Sequence, residues 1–598
     1  MSEEHLRGAL GALLDHHDAL RLRLDVIVAD GDWSLEVAPA GAVAAGACLR
    51  RVDVGGVGEA DWGGLIAAEA AAAERRLDPA AGVMVQAVWF DAGAARPGRL
   101  WLAIHHLAVD GVSWRILVPD LASAWQAISM GQAVALAPRG TSFRRWAEAL
   151  AAHARDGRVT QEVSYWNGEL RKPSLLLVDD RLDAGRDSLG SAGHLTLTLP
   201  AAVTEALLTR VPSVFHGGID DVLLTGLSVA VADWCRRRVQ GSAAGRGPVD
   251  GAGLVGGAGL VHGASHAVLL DLEGHGREEA LGREEPLGRD AVFGDIDLTR
   301  TVGWFTSLYP VRLDPGLLDL EEALSGGAAL GRALKTIKEQ LRAVPGKGLG
   351  YGLLRYLNGA TAAEFAGVPA PQLGFNYLGR FAAGGAGALW APAEADERAA
   401  DGARLPSGDP AMPLSHLIEI NALTLDGADG SRLSASWTWA AALLGEAEVR
   451  DLAETWFRAL VALTRYAAQP GAGGRSPSDL ALLDLTQGEI ERLESHYQVI
   501  EDILPLSPLQ EGLLFHALYD AAGPDVYTVQ LELELEGMLD GAVLQASADA
   551  VVNRHASLRA AFRHERLNHP VQVIARRVGV PWRLHDVSEL SHGEQELR

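Results

Sequence analysis

A chain of 598 residues and 63.2 kDa is too long for one ordinary hydrophobic core and implies roughly three to five domains or lobes. Its hydrophobic content of 48% excludes a disordered chain. The net charge of −25 argues against nucleic acid or an anionic membrane as a general partner, because either selects a basic face; a local basic patch for an acidic partner is compatible with that total.

Two isolated cysteines, Cys48 and Cys235, supply neither a disulfide framework nor a zinc knuckle, which suits a reducing cytoplasm. The N-terminal run MSEEHLRGALGALLDHHDAL is acidic where a signal peptide would be basic and then apolar.

In chain order, LGALLDHHDALRLRL (10–24) reads as an amphipathic helix running through His-x-x-Leu-Arg into a strand. LWLAIHHLAVDG (100–111) is an apolar run predicted to be a buried strand, followed by helices over 113–132 and 141–153. GHLTLTLP (193–200) alternates as a strand does, residues 201–209 and 219–238 read as helices, and AVLLDLEG (267–274) as another buried strand. Alternation of helices and strands predicts α/β lobes.

Between them lies 241–268, where Gly251, Gly253 and Gly256 have G-x-G-x-x-G spacing and Asp271 stands beyond. A dinucleotide site needs a strand before the glycines and a helix after them. Neither pattern is present, so the stretch reads as a low-complexity surface insertion. Residues 469–490 have the Gly, Pro and Ser of a linker, and VYTVQLELELEG (526–537) alternates as a strand.

ADAVVNRHASLRAAF (548–562) aligns with 10–24, an internal repeat. Leu504 to His555 is 51 residues and Met1 to His17 is 16. The alignment therefore predicts about 35 residues before Met1, and a chain that opens inside one domain and stops inside a second of the same type.

His105-His106-Leu-Ala-Val-Asp110-Gly111 carries the chemistry. Neighbouring side chains on a strand face opposite sides, so these two histidines cannot share a metal, and no metal site is expected. One would face the interior and the other a cleft, where an imidazole titrates near neutrality and serves as acid or base. A pair of satisfied core histidines, with Asp110 capping the next helix, accounts for the same seven residues.

HHxxxDG resembles the active-site signature of nonribosomal condensation and epimerization domains and of chloramphenicol acetyltransferase-like acyltransferases. The epimerization version is resembled by Gly111-Val-Ser-Trp-Arg-Ile-Leu, Glu273-Gly-His-Gly-Arg-Glu278 and Thr301-Val-Gly-Trp-Phe-Thr-Ser-Leu-Tyr-Pro-Val311. Lys347-Gly-Leu-Gly-Tyr-Gly-Leu-Leu-Arg-Tyr356, Phe375-Asn-Tyr-Leu-Gly379 and Leu417-Ile-Glu-Ile-Asn421 follow in the family's order. From Leu504 the chain resembles the opening of a condensation domain.

The resemblance implies an α/β fold of two chloramphenicol acetyltransferase-like lobes in a V-shaped pseudo-dimer facing a channel, plus a partial third lobe of the same type. It implies an N-lobe over 1–165, a connection over 166–189, a C-lobe over 190–467, a linker over 468–500 and a truncated condensation N-lobe over 501–598.

By the same resemblance His106 is the cleft histidine and Glu273 its catalytic partner. Asn376 and Tyr377 are candidates for holding an enolate, though a structural strand-end role fits them as well. His105, Asp110 and Gly111 are structural, with Asp110 pairing with Arg21; Trp304 and Tyr309 read as packing residues.

The implied activity is inversion of the α-carbon of an aminoacyl or peptidyl thioester, with no bound cofactor. The substrate would arrive on the phosphopantetheine of an upstream peptidyl carrier protein, with other synthetase modules as partners. Two rivals are an amide-forming condensation-type acyltransferase, in which Glu273 is incidental, and an inactive scaffold that docks carrier proteins.

Overall fold

Leu6, Leu10, Leu13 and Leu14 recur at helical spacing, and the chain opens as a helix, Glu3–His16, that buries them. The structure is a computed structural model that describes residues 2–593 apart from 28–31, 94–95, 245–265, 278–295, 369, 382–389, 391–408, 428, 498, 520–526 and 592. The fold is mixed α/β, and the chain divides into two units: Met1–Val211 with Gly218–Ala468, and Pro212–Gly217 with Gln469–Arg598.

In the first unit, β1 (Leu22–Ile27) pairs antiparallel with β2 (Asp32–Val37). A three-stranded sheet follows, β3 (Leu49–Asp53), β4 (Val85–Asp91) and β5 (Arg99–Ile104), with β4 parallel to β3 and antiparallel to β5. Leu10, Leu13 and Leu14 share a core with Ile116, Leu117 and Leu121 of helix Trp114–Ser129. Burying each such side chain contributes about 1.5–3 kcal/mol.

The larger sheet contains β6 (Gly193–Thr198), β7 (Val268–Gly274), β8 (Ser307–Leu313), β9 (Leu373–Phe381), β10 (Ile418–Gly427) and β11 (Gly430–Trp439), in the order β6-β11-β10-β9-β7-β8. Strict alternation gives it two unlike faces. Phe375, Ile418, Ile420, Ala422 and Trp437 are buried, whereas Glu273, Asn376, Glu419 and Asn421 are exposed or half-buried. Helices Ile219–Ala244 and Glu446–Tyr466 cross closely: a Cβ on Gly226 would lie 2.8 Å from Leu460 Cδ2, so a side chain there would have to displace the Leu460 methyl. No single helix among the described residues is long and apolar enough to cross a membrane.

The second unit has β12 (Ile500–Pro505), β13 (Ala560–Arg563) and β14 (Val571–Ala575), antiparallel in the order β12-β14-β13. Residues 469–500 carry more structure than their Gly, Pro and Ser suggest. Thr486 and Glu489 form a capping box on helix Gln487–His496, and Leu480, Leu485, Ile490 and Leu493 pack with Ile503, Val571 and Val573.

The internal repeat is three-dimensional. Helix Gly541–Arg554, a 3₁₀ turn Ala556–Arg559 and β13 follow the order of helix Glu3–His16, 3₁₀ turn Asp18–Arg21 and β1. The linking histidines adopt nearly one conformation, φ −98°, ψ 111° at His17 and φ −106°, ψ 109° at His555. The strand predicted over 526–537 is not formed among the described residues. Val529, Leu531, Leu533 and Leu535 are exposed, because alternation supplies a strand with one apolar face but no partner to cover it. The Gly251, Gly253 and Gly256 run lies outside the described residues, and Asp271 is engaged by His416 Nε2 at 3.0 Å.

Candidate active site

β5 ends at Ile104, so His105 and His106 sit just past the strand rather than on it, with His106 opening a 3₁₀ turn. The turn still separates them. His105 is half-buried and its Nδ1 accepts from Leu107 N at 3.3 Å, while His106 is exposed. Burial, with the neighbouring His106, lowers the proton affinity of His105. The His106 ring lies 4.9 Å from that of Trp304, which is itself 45% exposed. Trp304 is thus a face of the open site, not the packing residue its sequence suggests. Tyr309 does pack: a Cβ on Gly348, whose φ is +88°, would stand 2.1 Å from its ring.

Asp110 ties this turn to the second sheet. It accepts from Ser113 N and Ser113 Oγ, each at 2.8 Å, and from Phe305 N at 3.3 Å. Arg277 Nη2 approaches its two carboxylate oxygens at 2.8 and 3.0 Å. Both partners are buried. Arg277 also donates to Thr301 O at 2.6 Å and lies 4.3 Å over the Phe305 ring. Burial lowers its proton affinity and Asp110 raises it. Gly276 makes the approach possible: its φ is +63°, and a Cβ there would stand 1.7 Å from Phe305 O.

The pairing of Asp110 with Arg21 is therefore corrected. Arg21 instead donates to Leu14 O, to Asp15 O at 2.7 Å, to Ala38 O at 2.9 Å and to Asp18 Oδ1 at 2.9 Å. Its guanidinium closes the end of the first helix, where carbonyls lack intrahelical donors. Arg559, its counterpart in the repeat, binds elsewhere: it donates to Ala575 O and Arg576 O at the end of β14 and to Glu501 Oε2 at 2.7 Å.

Glu273, near the end of β7, projects from the polar face of the larger sheet and is open to solvent. Asn376 Nδ2 donates to its Oε2 at 2.6 Å. Surrounding protein still strips much of its hydration, and this burial, followed by the charge of Glu419, pushes the carboxyl up to about 7, with His416 opposing. Such a group both gives and takes a proton near neutrality. Tyr377 follows Asn376 on β9 and so points to the other face, where its hydroxyl meets Thr424 Oγ1 at 2.9 Å; of the two candidates, Asn376 alone reaches Glu273. Gly111 faces Leu378, at 3.6 Å from an added Cβ, and Arg115 Nη2 donates to Leu378 O at 3.2 Å. The HHxxxDG turn thereby meets the strand that carries Asn376. Glu278, last in its motif, lies outside the described residues.

Among the described residues His16, His17 and Asp120 come together as metal ligands do, but their atoms are committed. His17 Nε2 meets Asp120 Oδ2 at 3.0 Å, His16 Nε2 meets Ala137 O at 3.0 Å, and Arg300 donates to Asp120 at 2.7 Å. Burial drives His17 down to about 4, so the cluster is an ion-paired brace with a fixed cation in it.

Sequence reading missed Arg277, Trp304 and Glu419 as parts of this site. Arg277 and Trp304 fall inside the family-like motifs, so motif membership was the available signal; Glu419 sits in Leu417-Ile-Glu-Ile-Asn421 on an alternating strand, which marked it only as off the core face.

The model of the condensation domain matches residues 1–241 and 500–597, and this chain belongs to that family. A linear gramicidin synthase from Brevibacillus parabrevis is 34% identical over 601 residues, 99% of this chain and 10% of the relative. Chondramide synthase from Chondromyces crocatus is 30% identical over 640 residues, 98% of this chain and 14% of the relative. The chain thus spans about a tenth of the length of such curated relatives. The epimerization domain from the third module of tyrocidine synthetase B is similar in structure, with TM-score 0.59 and 27% identity over 78% of this chain and 90% of that one. The condensation domain for chain release from the enacyloxin polyketide synthase shares the fold, with TM-score 0.51 and 19% identity over 79% of this chain and 77% of that one.

Proposed function

We propose that this chain epimerizes the α-carbon of an aminoacyl or peptidyl thioester presented on a carrier-protein phosphopantetheine, by acid/base catalysis between Glu273 and His106. The observation that carries this reading is the Glu273 carboxyl, solvent-accessible on a polar sheet face, held by Asn376 and poised near 7. One of the two groups takes the α-proton, and the electron pair moves into the thioester carbonyl as an enolate. The protonated form of the other returns a proton to the opposite face. The two groups then stand with their protons exchanged, and solvent resets them. Asn376, beside Glu273, is placed to position carboxylate or enolate. Similarity to the tyrocidine synthetase epimerization domain supports the same reading.

Under this proposal residues 1–165 and 190–467 are the two lobes of the epimerization domain, joined by 166–189. Residues 468–500 lead to 501–598, the opening part of a condensation domain. The pantetheine arm is a substrate tether, the partners are carrier domains and other modules of a cytoplasmic synthetase, and no bound cofactor is invoked.

The test is α-hydrogen exchange in D₂O on a carrier-bound aminoacyl thioester. Deuterium entry with formation of the opposite stereoisomer supports the proposal. Amide formation with an acceptor thioester and no exchange assigns the condensation reading, and neither product assigns a docking scaffold.

A further inference from the structure

Glu273 and Asn376 belong to a longer polar row. β7 and β9 are paired Asp271 to Gly374 and Leu272 to Phe375, so the next step sets Glu273 beside Asn376. β9 and β10 are paired Asn376 to Asn421 and Gly374 to Glu419. Period-2 alternation puts these four polar side chains on one face, opposite the buried Phe375, Ile418 and Ile420. On that face Asn421 Nδ2 donates to Glu419 Oε1 at 3.0 Å, and Glu419 is half-buried.

We propose that Glu419 is a positioning residue of the Glu273 site: a second carboxylate, fixed by Asn421 on the same sheet face, that sets how tightly Glu273 holds its proton. The inference rests on Glu273 being the acid/base group. By register Glu419 stands level with Asp271, across β9 and two residues back from Glu273, and like charges on one sheet face disfavour joint ionisation. The charges that bear on Glu273 are Glu419 from β10, acting to hold its proton, and His416 from the segment before β10, acting to release it. His416 is itself tied to Asp271, two residues back on β7. Leu308 on β8, the residue paired with Glu273 on its other side, brings no charge. A fixed Glu419 thus adds to burial in keeping a protonated Glu273 available at neutral pH, as an acid stroke requires.

Glu419→Gln tests this, with Glu419→Asp as the variant that keeps the charge and Asn421→Ala as the one that frees it. The direct readout is an infrared titration of the protonated carboxyl band that disappears in Glu273→Gln. Glu419→Gln should move its midpoint to lower pH by roughly half a unit or more, Asn421→Ala should move it partway, and Glu419→Asp should largely restore it. The acid limb of the exchange rate should move in the same direction. A midpoint unmoved by Glu419→Gln in a chain of unchanged melting temperature overturns the inference, even where Glu273→Gln abolishes exchange. A moved midpoint in a chain without exchange activity leaves the pairing standing and removes the acid/base reading of Glu273.

Discussion

Arg277 closes on Asp110 across 167 residues of sequence, with Nη2 at 2.8 and 3.0 Å from the two carboxylate oxygens and both side chains buried. Asp110 follows His106 by four residues and Arg277 follows Glu273 by four. One buried pair therefore joins the turn that carries His106 to the segment that follows Glu273 on β7.

Removing one member of that pair leaves the other as an uncompensated buried charge. Asp110→Ala should cost roughly 3–5 kcal/mol, read as a lowered denaturation midpoint of the first unit. Exchange activity should fall with it even in the folded fraction, because Phe305 N and Ser113 lose their acceptor. An unchanged midpoint would show the pair to be dispensable.

Arg21 should behave differently. Arg21→Met removes the donor to the buried Leu14 carbonyl and to the part-buried carbonyls of Asp15 and Ala38, at a cost of roughly 1–3 kcal/mol for the buried one and less for the two that water reaches. In a double-mutant cycle Arg21 and Asp110 should be additive within about 0.5 kcal/mol. A larger coupling would restore the pairing that the geometry rejects.

Glu273 makes stability depend on pH in a definite direction. Its carboxyl is held up to about 7 against an ordinary 4.5, so between those values the folded chain keeps a proton that the unfolded chain has lost. Stability is then fully present below about 4.5 and lost as pH rises through about 7. Glu273→Gln removes that loss. Its melting temperature relative to the parent chain should rise across this window and level off above it, while exchange activity disappears. A melting difference that does not vary with pH would mean that the carboxyl titrates in its ordinary range.

His106 and His105 should separate function from folding. His106 is exposed, so His106→Ala should change stability by no more than about 0.5 kcal/mol and abolish exchange. His105→Ala removes a half-buried ring and the acceptor for Leu107 N, and should lower the melting temperature first. Equal effects of the two substitutions on melting and exchange would deny them distinct roles.

In the second unit the segment around Val529, Leu531 and Met538 is exposed, at 94%, 80% and 106%, and forms no sheet. Limited proteolysis should cut there before it cuts the first unit. Leu531→Lys should reduce aggregation, since an unpaired alternating strand is a template for pairing with other chains. Resistance of 527–539 to protease would show the segment to be covered.

Local pattern was enough to read several of the elements around this site from residue types alone. Alternation marked β6 and an apolar run marked β7, helical pattern marked the end of Glu3–His16 from residue 10 and, over 113–132, Trp114–Ser129, and the repeat of His17 and Arg21 at His555 and Arg559 foretold two copies of one helix-turn-strand unit. These signals are legible because side-chain direction within a helix or strand follows from backbone geometry over a few residues. The alternating run at 526–537 marks the limit, since alternation names a strand's faces without providing its neighbour. Partner choice is of that kind throughout. Asp110 could have met any arginine, and only chain closure brings it Arg277 in place of Arg21. The same closure sets Trp304 against His106 and the Glu419 charge near Glu273. The chemistry of Glu273 follows from these long-range neighbours, because proton affinity responds to burial and nearby charge, quantities that exist only once distant segments have packed.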